Sequence, residues 1–514
     1  MRRDMVLSKK EFIKDIILEQ QHNNKIAIED EKEHITYREL HNTCTKISET
    51  IQRESDCKNN RNVGIFLNNS VDYAKAYFSI AYMDRTIIPV EVTLSKEQIV
   101  SILDYCEIST IITNKKYFEQ LTNSLQDYEY FMEIFCIEEN KLYQFEGKSR
   151  LLSESMESGV SVQDTAIMLH TSGTTSNPKR VMLTHNNLIT NVKSNIKSLK
   201  LNEEDKSLIV LPMYFGYCNS SQFLTHMYLG ASVVIAPQPF NPARFLSFIE
   251  KYSITNTTCI PSMLFLTIAM KKKYDLTSLR YLCFGGGLMP VEKLEKIISY
   301  FSNTSVIQTY GLTEASPRVT CLLPEDAFKK IGSVGKAIPD VTVDVVDENG
   351  ISVNKGERGE IVVKGNNVMK GYYKHPEATS KVLKNGWLHT GDIGMFDQDG
   401  YLYIVGRIKN LIISGGLNIY PEEIEEVITS IDGVKEVLVV SEKHDLLGEV
   451  PVAKIVTDGT ELVATEIISY CRQKLDSHKI PKRVIFCEKI EKTYNGSLIV
   501  IQDSIPAILD KCKS

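Results

Sequence analysis

Residues 170–185 read HTSGTTSNPKRVMLTH. Thr171, Ser172, Thr174 and Thr175 surround Gly173, and Lys179 follows shortly after. Small hydroxyls and a glycine let backbone and side-chain donors crowd round an anion, and a lysine adds a movable positive charge. Phosphate is the natural ligand of such a loop. It is not of the GxxxxGK type, because Pro178 stands where that motif needs its second glycine. A solvated turn rich in Ser and Thr has the same composition, so the loop alone leaves both readings open. The apolar run AIML before it, 166–169, is expected to be the strand that delivers it.

The elements around this loop read as α/β layers. Short runs rich in Val and Ile recur: VGIFL at 63–67, TIIPVEV at 86–92, TIIT at 110–113, SVVIAP at 232–237 and VTVDVVD at 341–347. Amphipathic stretches such as SKEQIVSILDYCE and PVEKLEKIISYFS lie between several of them, which predicts buried strands covered by helices. From about residue 340 the pattern changes to strands and Gly-rich turns, as in KGERGEIVVKG and DQDGYLYIVG, predicting a β-rich piece. After a boundary near 405–410, YPEEIEEVITSIDGV predicts a helix with Pro421 in its first turn and acidic residues following, as the helix dipole prefers.

At 514 residues the chain is too long for one ordinary core, so two or more domains are expected. The division expected is an N-terminal domain over 1–405, a hinge at 406–410 and a small mobile α+β domain over 411–514. With 43% hydrophobic and 24% charged residues the chain has the balance of a globular protein. Its net charge of −6 offers no attraction for a nucleic-acid backbone. No apolar run is long enough to span a bilayer, and MRRDMVLSKKEFIKDIILEQ does not read as a signal peptide. The 11 cysteines, never spaced as CxxC, indicate neither a disulfide framework nor a zinc site. A reducing cytoplasm is the expected location.

The loop has company. TYREL at 36–40, FGGGLMP at 284–290, QTYGLTEAS at 308–316, GWLHTGD at 386–392, YIVGRIKN at 403–410 and SGGLNIYPEEIE at 414–425 stand with TSGTTSNPK in an order that resembles the adenylate-forming superfamily. That superfamily contains acyl-CoA synthetases, peptide-synthetase adenylation domains and luciferases. The resemblance covers nearly the whole chain and implies a two-step ligase. ATP and magnesium convert a carboxylic acid to an acyl-adenylate with loss of pyrophosphate; the acyl group then passes to coenzyme A or to the phosphopantetheine of an acyl carrier protein.

It also implies roles. Thr171, Ser172, Gly173, Thr174, Thr175 and Lys179 would hold the phosphates. Gly285, Gly286 and Gly287 would let the backbone approach the adenine, with Gln308, Thr309, Tyr310 and Gly311 beside it and the ring of Tyr310 stacked on it. Thr313 would contact the α-phosphate, and Glu314 would ligate magnesium. Asp392 would accept the ribose hydroxyls, and Arg407 would reach the ribose or phosphates. Lys409 is the expected pivot of a domain rotation, and Gly415 and Gly416 would leave room for a pantetheine arm, although a Gly pair after a strand also reads as a plain turn. Tyr214, Phe215, Gly216, Tyr217, Leu288 and Ser316 are the candidate acyl pocket, with Phe215 as its aromatic gate; for Tyr214, Tyr217, Leu288 and Ser316 a core-packing role is nearly as open.

The chain departs from the family pattern in three places. Ser497 in EKTYNGSLIV stands where relatives carry a lysine that reaches the substrate carboxylate and α-phosphate. An Asn495–Gly496 hairpin turn would put Lys492 on the same face, one diagonal step away, as a substitute cation. Without such a substitute the chain would be an adenylation-deficient member that binds nucleotide or performs only the thioester step. Ser176 and Arg180 replace glycines in the phosphate loop; Arg180 could add charge near the nucleotide or point to solvent, and the second is expected. Gly216 stands where amino-acid-activating relatives place an Asp, which favours a fatty or aryl acid over an α-amino acid.

Overall fold

The computed structural model describes residues 10–57, 60–148, 164–170, 179–287, 289–323 and 325–490. Two mainly parallel sheets form its large part. In the first, Ile26–Glu29, Lys206–Ile209, Ser232–Ile235, Asn256–Cys259, Tyr281–Phe284 and Ser305–Gly311 run parallel, and antiparallel strands close both sides. In the second, Asn62–Ile65, Thr86–Pro89, Thr110–Thr113, Met132–Cys136 and Thr165–His170 run parallel, with Arg180–Thr184 folding back antiparallel on the last of them. Strands Asn62–Ile65, Thr86–Pro89, Thr110–Thr113 and Ser232–Ile235 are buried along their length, which is why those segments are rich in Val and Ile rather than alternating.

Helices Lys96–Tyr105 and Val291–Tyr300 occupy the two amphipathic stretches. Ser95 caps the first in a reciprocal box with Gln98. The TYREL segment has a local explanation of the same kind. Thr36 caps helix Tyr37–Glu54, Glu39 returns the bond, and Tyr37 Oη donates to the Ala231 carbonyl at 2.6 Å.

An antiparallel sheet follows, built on Val341–Val346, Gly359–Gly365, Trp387–Phe396 and Leu402–Arg407. The chain after Arg407 forms an α+β unit with its own apolar cluster, including Ile412, Ile424, Ile428, Val439, Ile455 and Ile467. Its helix Pro421–Thr429 has Pro421 at the start and Glu422 and Glu423 in the first turn, as the sequence predicts. The larger cluster draws only on residues up to Leu402. The fold is thus the expected layered α/β body with a β-rich piece and a small α+β unit.

Among the described residues no helix is long and apolar enough to cross a membrane. The ten described cysteines are all unpaired and most are buried.

Candidate active site

Parallel strands Tyr281–Phe284 and Ser305–Gly311 pair with Phe284 opposite Gln308, so FGGG and TYGLTE leave the sheet side by side at its carboxyl edge. That edge is where open α/β sheets gather ligands. Gly285 is packed so closely that a Cβ there would lie 2.7 Å from the Thr309 carbonyl oxygen and 3.3 Å from Tyr217 Oη. At Gly311 a Cβ would lie 1.9 Å from the Pro317 carbonyl oxygen, so only glycine lets the chain double back there. Thr313, Glu314 and Ala315 form a single 3₁₀ turn after it.

The antiparallel sheet brings the ribose candidates to this edge. Asp392 and Arg407 face each other across strands Trp387–Phe396 and Leu402–Arg407. Asp392 Oδ1 receives Arg407 Nε at 2.8 Å, and its Oδ2 accepts from Tyr310 Oη at 2.7 Å. Asp392 is only 4% exposed, while Arg407 is half-exposed, so the pair lies at the rim of the sheet edge with its carboxylate sealed beneath. Beside it Glu360 accepts from the Gly391 amide at 3.0 Å and meets His389 Nδ1 at 2.7 Å, which fixes the HTGD turn.

Glu314 Oε1 accepts from Tyr372 Oη at 2.8 Å, and Lys179 Nζ sits 4.9 Å from the centre of the Tyr372 ring. Burial pushes the Glu314 carboxyl up, and the Tyr372 hydroxyl opposes that. One hard carboxylate suits magnesium, which keeps most of its ligands as water and phosphate oxygens. No set of three or more His, Cys, Asp or Glu able to hold a metal occurs among the described residues.

On the other side, Tyr217 Oη lies 2.7 Å from Thr309 Oγ1, and Thr309 Oγ1 also donates to the Phe284 carbonyl at 3.2 Å. Tyr214 and Phe215 meet edge to face at 4.9 Å, each within 6.4 Å of His170. Burial, aided by Arg180, pushes His170 down to about 3, so its ring is neutral. Gly216 faces Leu169 and Thr313, and a Cβ there would make only ordinary contacts of 3.5–3.6 Å.

Several expectations are corrected. Ser316 does not offer its hydroxyl to a pocket: it is 1% exposed and donates to the Asn367 carbonyl at 2.7 Å. Arg180 does not point to solvent but is 3% exposed, its Nη1 3.4 Å from the Pro89 carbonyl oxygen. Gly415 and Gly416, both with positive φ, form the two-residue turn joining Ile412–Ser414 to Leu417–Ile419, a turn compatible with room for a pantetheine arm. Lys409 is exposed in the short turn Ile408–Asn410 after Arg407. Thr171, Ser172, Gly173, Thr174, Thr175, Ser176, Leu288, Lys492 and Ser497, with the expected hairpin at Asn495–Gly496, lie outside the described residues.

Two residues escaped the sequence reading. Tyr372 sits in a GYY stretch with no phosphate or metal signature. Arg318 follows QTYGLTEAS by two positions, and its one signal was a basic residue opening the apolar strand RVTC.

The family model for AMP-binding enzymes matches residues 18–373, and that for their C-terminal domain matches 423–497. A 2-succinylbenzoate–CoA ligase of Bacillus cereus is 30% identical over 93% of this chain and 94% of its own length. A feruloyl-CoA synthase of Amycolatopsis is 35% identical over 66% of the chain and 69% of its own length. The o-succinylbenzoate coenzyme A synthetase of Bacillus subtilis, solved with its acyl-adenylate intermediate, superposes with a TM-score of 0.83 at 27% identity, covering 95% and 97% of the two chains. The same enzyme solved with ATP and a magnesium ion covers 95% and 98%. With both family models in sequence order and near full-length relatives, the chain belongs to the AMP-binding enzyme family and is an acid–thiol ligase of its acyl-adenylate-forming class.

Proposed function

We propose that this ligase activates an aryl or fatty acid rather than an α-amino acid, and passes the acyl group to coenzyme A. The observation that carries the reading is Asp392, buried at the carboxyl edge of the large sheet with Tyr310 on one oxygen and Arg407 on the other. A carboxylate pre-oriented by two donors is suited to take ribose hydroxyls, the Tyr310 hydroxyl and guanidinium adjusting as they arrive. Thr313 and Lys179 would address the phosphates and Glu314 the magnesium, which supplies charge neutralisation on the phosphate oxygens when bound. Phe215, Gly216 and Tyr217 would border the acyl chain.

Coenzyme A is favoured as acceptor because the relatives named above are coenzyme A ligases, and none of them is a carrier-protein ligase. Residues 1–405, 406–410 and 411–514 are proposed as body, hinge and lid, supported by the two separate apolar clusters. A cytoplasmic location remains part of the proposal.

ATP–pyrophosphate exchange and acyl-CoA formation over a panel of fatty, aryl and amino acids test the reading, on this chain and on Ser497→Lys. Exchange by the unaltered chain with an aryl or fatty acid is the expected result. Exchange with amino acids alone would overturn the substrate class, and exchange only in Ser497→Lys would leave the natural chain to the thioester step.

A further inference from the structure

Arg318 heads the group of largest side chains under 2% exposure in the protein. It opens strand Arg318–Cys321, antiparallel to Ser305–Gly311, and Asn191 Nδ2 holds its carbonyl at 2.8 Å. Its guanidinium is less well served. Among the described residues, Nε and Nη1 are buried with no hydrogen-bond partner. The titratable groups around it are Tyr217 and Cys283, each within hydrogen-bonding reach, and Cys321, with His226 within electrostatic reach, and no carboxylate is among them.

None of these four supplies a negative charge. Burial holds the Cys321 thiol at about 12 and raises Cys283 and Tyr217 as well, so all three keep their protons near neutral pH. Burial lowers His226, and Arg318 adds to that, so the ring is neutral; its Nε2 is likewise buried without a partner. A buried carboxylate in this position could take up a proton, but a guanidinium cannot shed one. An unpaired buried charge is strongly destabilising, whereas a paired and hydrogen-bonded one is tolerated. Arg318 therefore needs an anion that the described residues do not provide.

Its position says which anion. Tyr217, the neighbour it shares with the candidate acyl wall, follows Gly216 in the chain and turns its hydroxyl to Thr309 at 2.7 Å, at the border with the adenine candidates Thr309 and Gly285. The charged groups of the nucleotide side form a different set: Arg407 answers to Asp392, Tyr310, Glu314 and Glu422, not to Arg318.

We infer that Arg318 binds a second carboxylate on the acid, distal to the one adenylated, so that the preferred acyl substrates are dicarboxylic. This rests on the ligase reading and narrows it. A guanidinium presents a planar fork that a carboxylate matches with two bonds, and a monoacid leaves that fork unmet. Discrimination by such a site exceeds what one methylene in an apolar pocket gives.

The test uses the full chain and matched acids: suberate against octanoate, and 2-succinylbenzoate against 4-oxo-4-phenylbutanoate, which lacks only the ring carboxylate. Two readouts are taken: thermal stabilisation by each acid with AMP, which needs no chemistry, and kcat/KM in ATP–pyrophosphate exchange. At least one diacid should exceed its monoacid by about a hundredfold or more in kcat/KM, and stabilise the protein where the monoacid does not. Arg318→Met should bring that ratio towards one, and Arg318→Lys should retain part of it. Monoacids equal to or better than both diacids in the unaltered chain would overturn the inference, even if Arg318→Met does not fold. Equal stabilisation by chloride or phosphate would overturn it too. Selective stabilisation by a diacid without any exchange would remove the adenylation reading and leave the Arg318 site standing; exchange with monoacids alone would do the reverse.

Discussion

The two sides of the site handle buried charge in opposite ways. On the side proposed for the nucleotide the charges answer one another: Asp392 with Arg407 and Tyr310, Glu314 with Tyr372. On the acyl side Arg318 faces two thiols, a phenol and a neutral imidazole. Partnered groups are held in place before a ligand arrives and serve as a preorganised frame for the chemistry shared across a family. An unpartnered cation is a demand on the ligand, and demands of that kind separate one substrate from another. A third case lies in the small unit. Glu425 is 7% exposed, and Val439 N–H donates to it at 2.8 Å; burial pushes its carboxyl up to about 8. It escapes the cost of charge by taking up a proton, the route closed to Arg318.

The largest effect expected is from breaking the partnered side. Asp392→Ala removes two charge-assisted bonds and leaves Arg407 without its carboxylate, so kcat/KM for ATP should fall roughly a thousandfold. A loss under tenfold in pyrophosphate exchange would show that the frame is not what holds the nucleotide.

Next comes Glu425. Its folded pKa is raised above the ordinary 4.5 to about 8, so its contribution to stability is full below about pH 4.5 and fades as pH rises towards 8. That loss is roughly 4–5 kcal/mol over the range. In Glu425→Gln the fading should vanish, read as pH-independent hydrogen-exchange protection at Val439 once intrinsic exchange is corrected for. The same slope in both proteins would mean that Glu425 is charged and partnered after all.

Glu314→Gln should reduce exchange by about a hundredfold and raise the magnesium concentration needed for half-maximal rate, since a neutral amide is a poor ligand for a hard cation. An unchanged magnesium requirement would move the metal site elsewhere. The smallest effect belongs to Tyr372→Phe. Losing one hydrogen bond to a carboxylate should slow adenylation by about tenfold. It should also shift Glu314 further up, because the hydroxyl holds it down against burial. The acidic limb of the pH–rate profile should then move to higher pH; a limb that stays in place would detach Tyr372 from the reaction.

Much of the scaffold was legible because short-range chemistry dictates it. The Val- and Ile-rich runs at 63–67, 86–92 and 110–113 became strands because only a two-sided buried sheet accommodates them. Ser95 with Gln98, and Thr36 with Glu39, start helices by satisfying backbone donors a few residues away. Gly415 and Gly416 read both ways, and the paired strands on either side settled the turn.

The motifs, read in order, fixed the family and the nucleotide-side residue types, because each motif carries its donors within a few positions. Burial and partnership were not so encoded. Arg180 was expected in solvent and Ser316 at a pocket wall, yet both are sealed by segments far away in the chain. Tyr310 meets Asp392 across 82 residues and Tyr372 meets Glu314 across 58, distances over which no local pattern carries information. The sequence by itself determined which groups could do the chemistry. Only the tertiary structure decided which of them are paired and which stand alone, because desolvation and ion pairing depend on what packs against a side chain rather than on what precedes it.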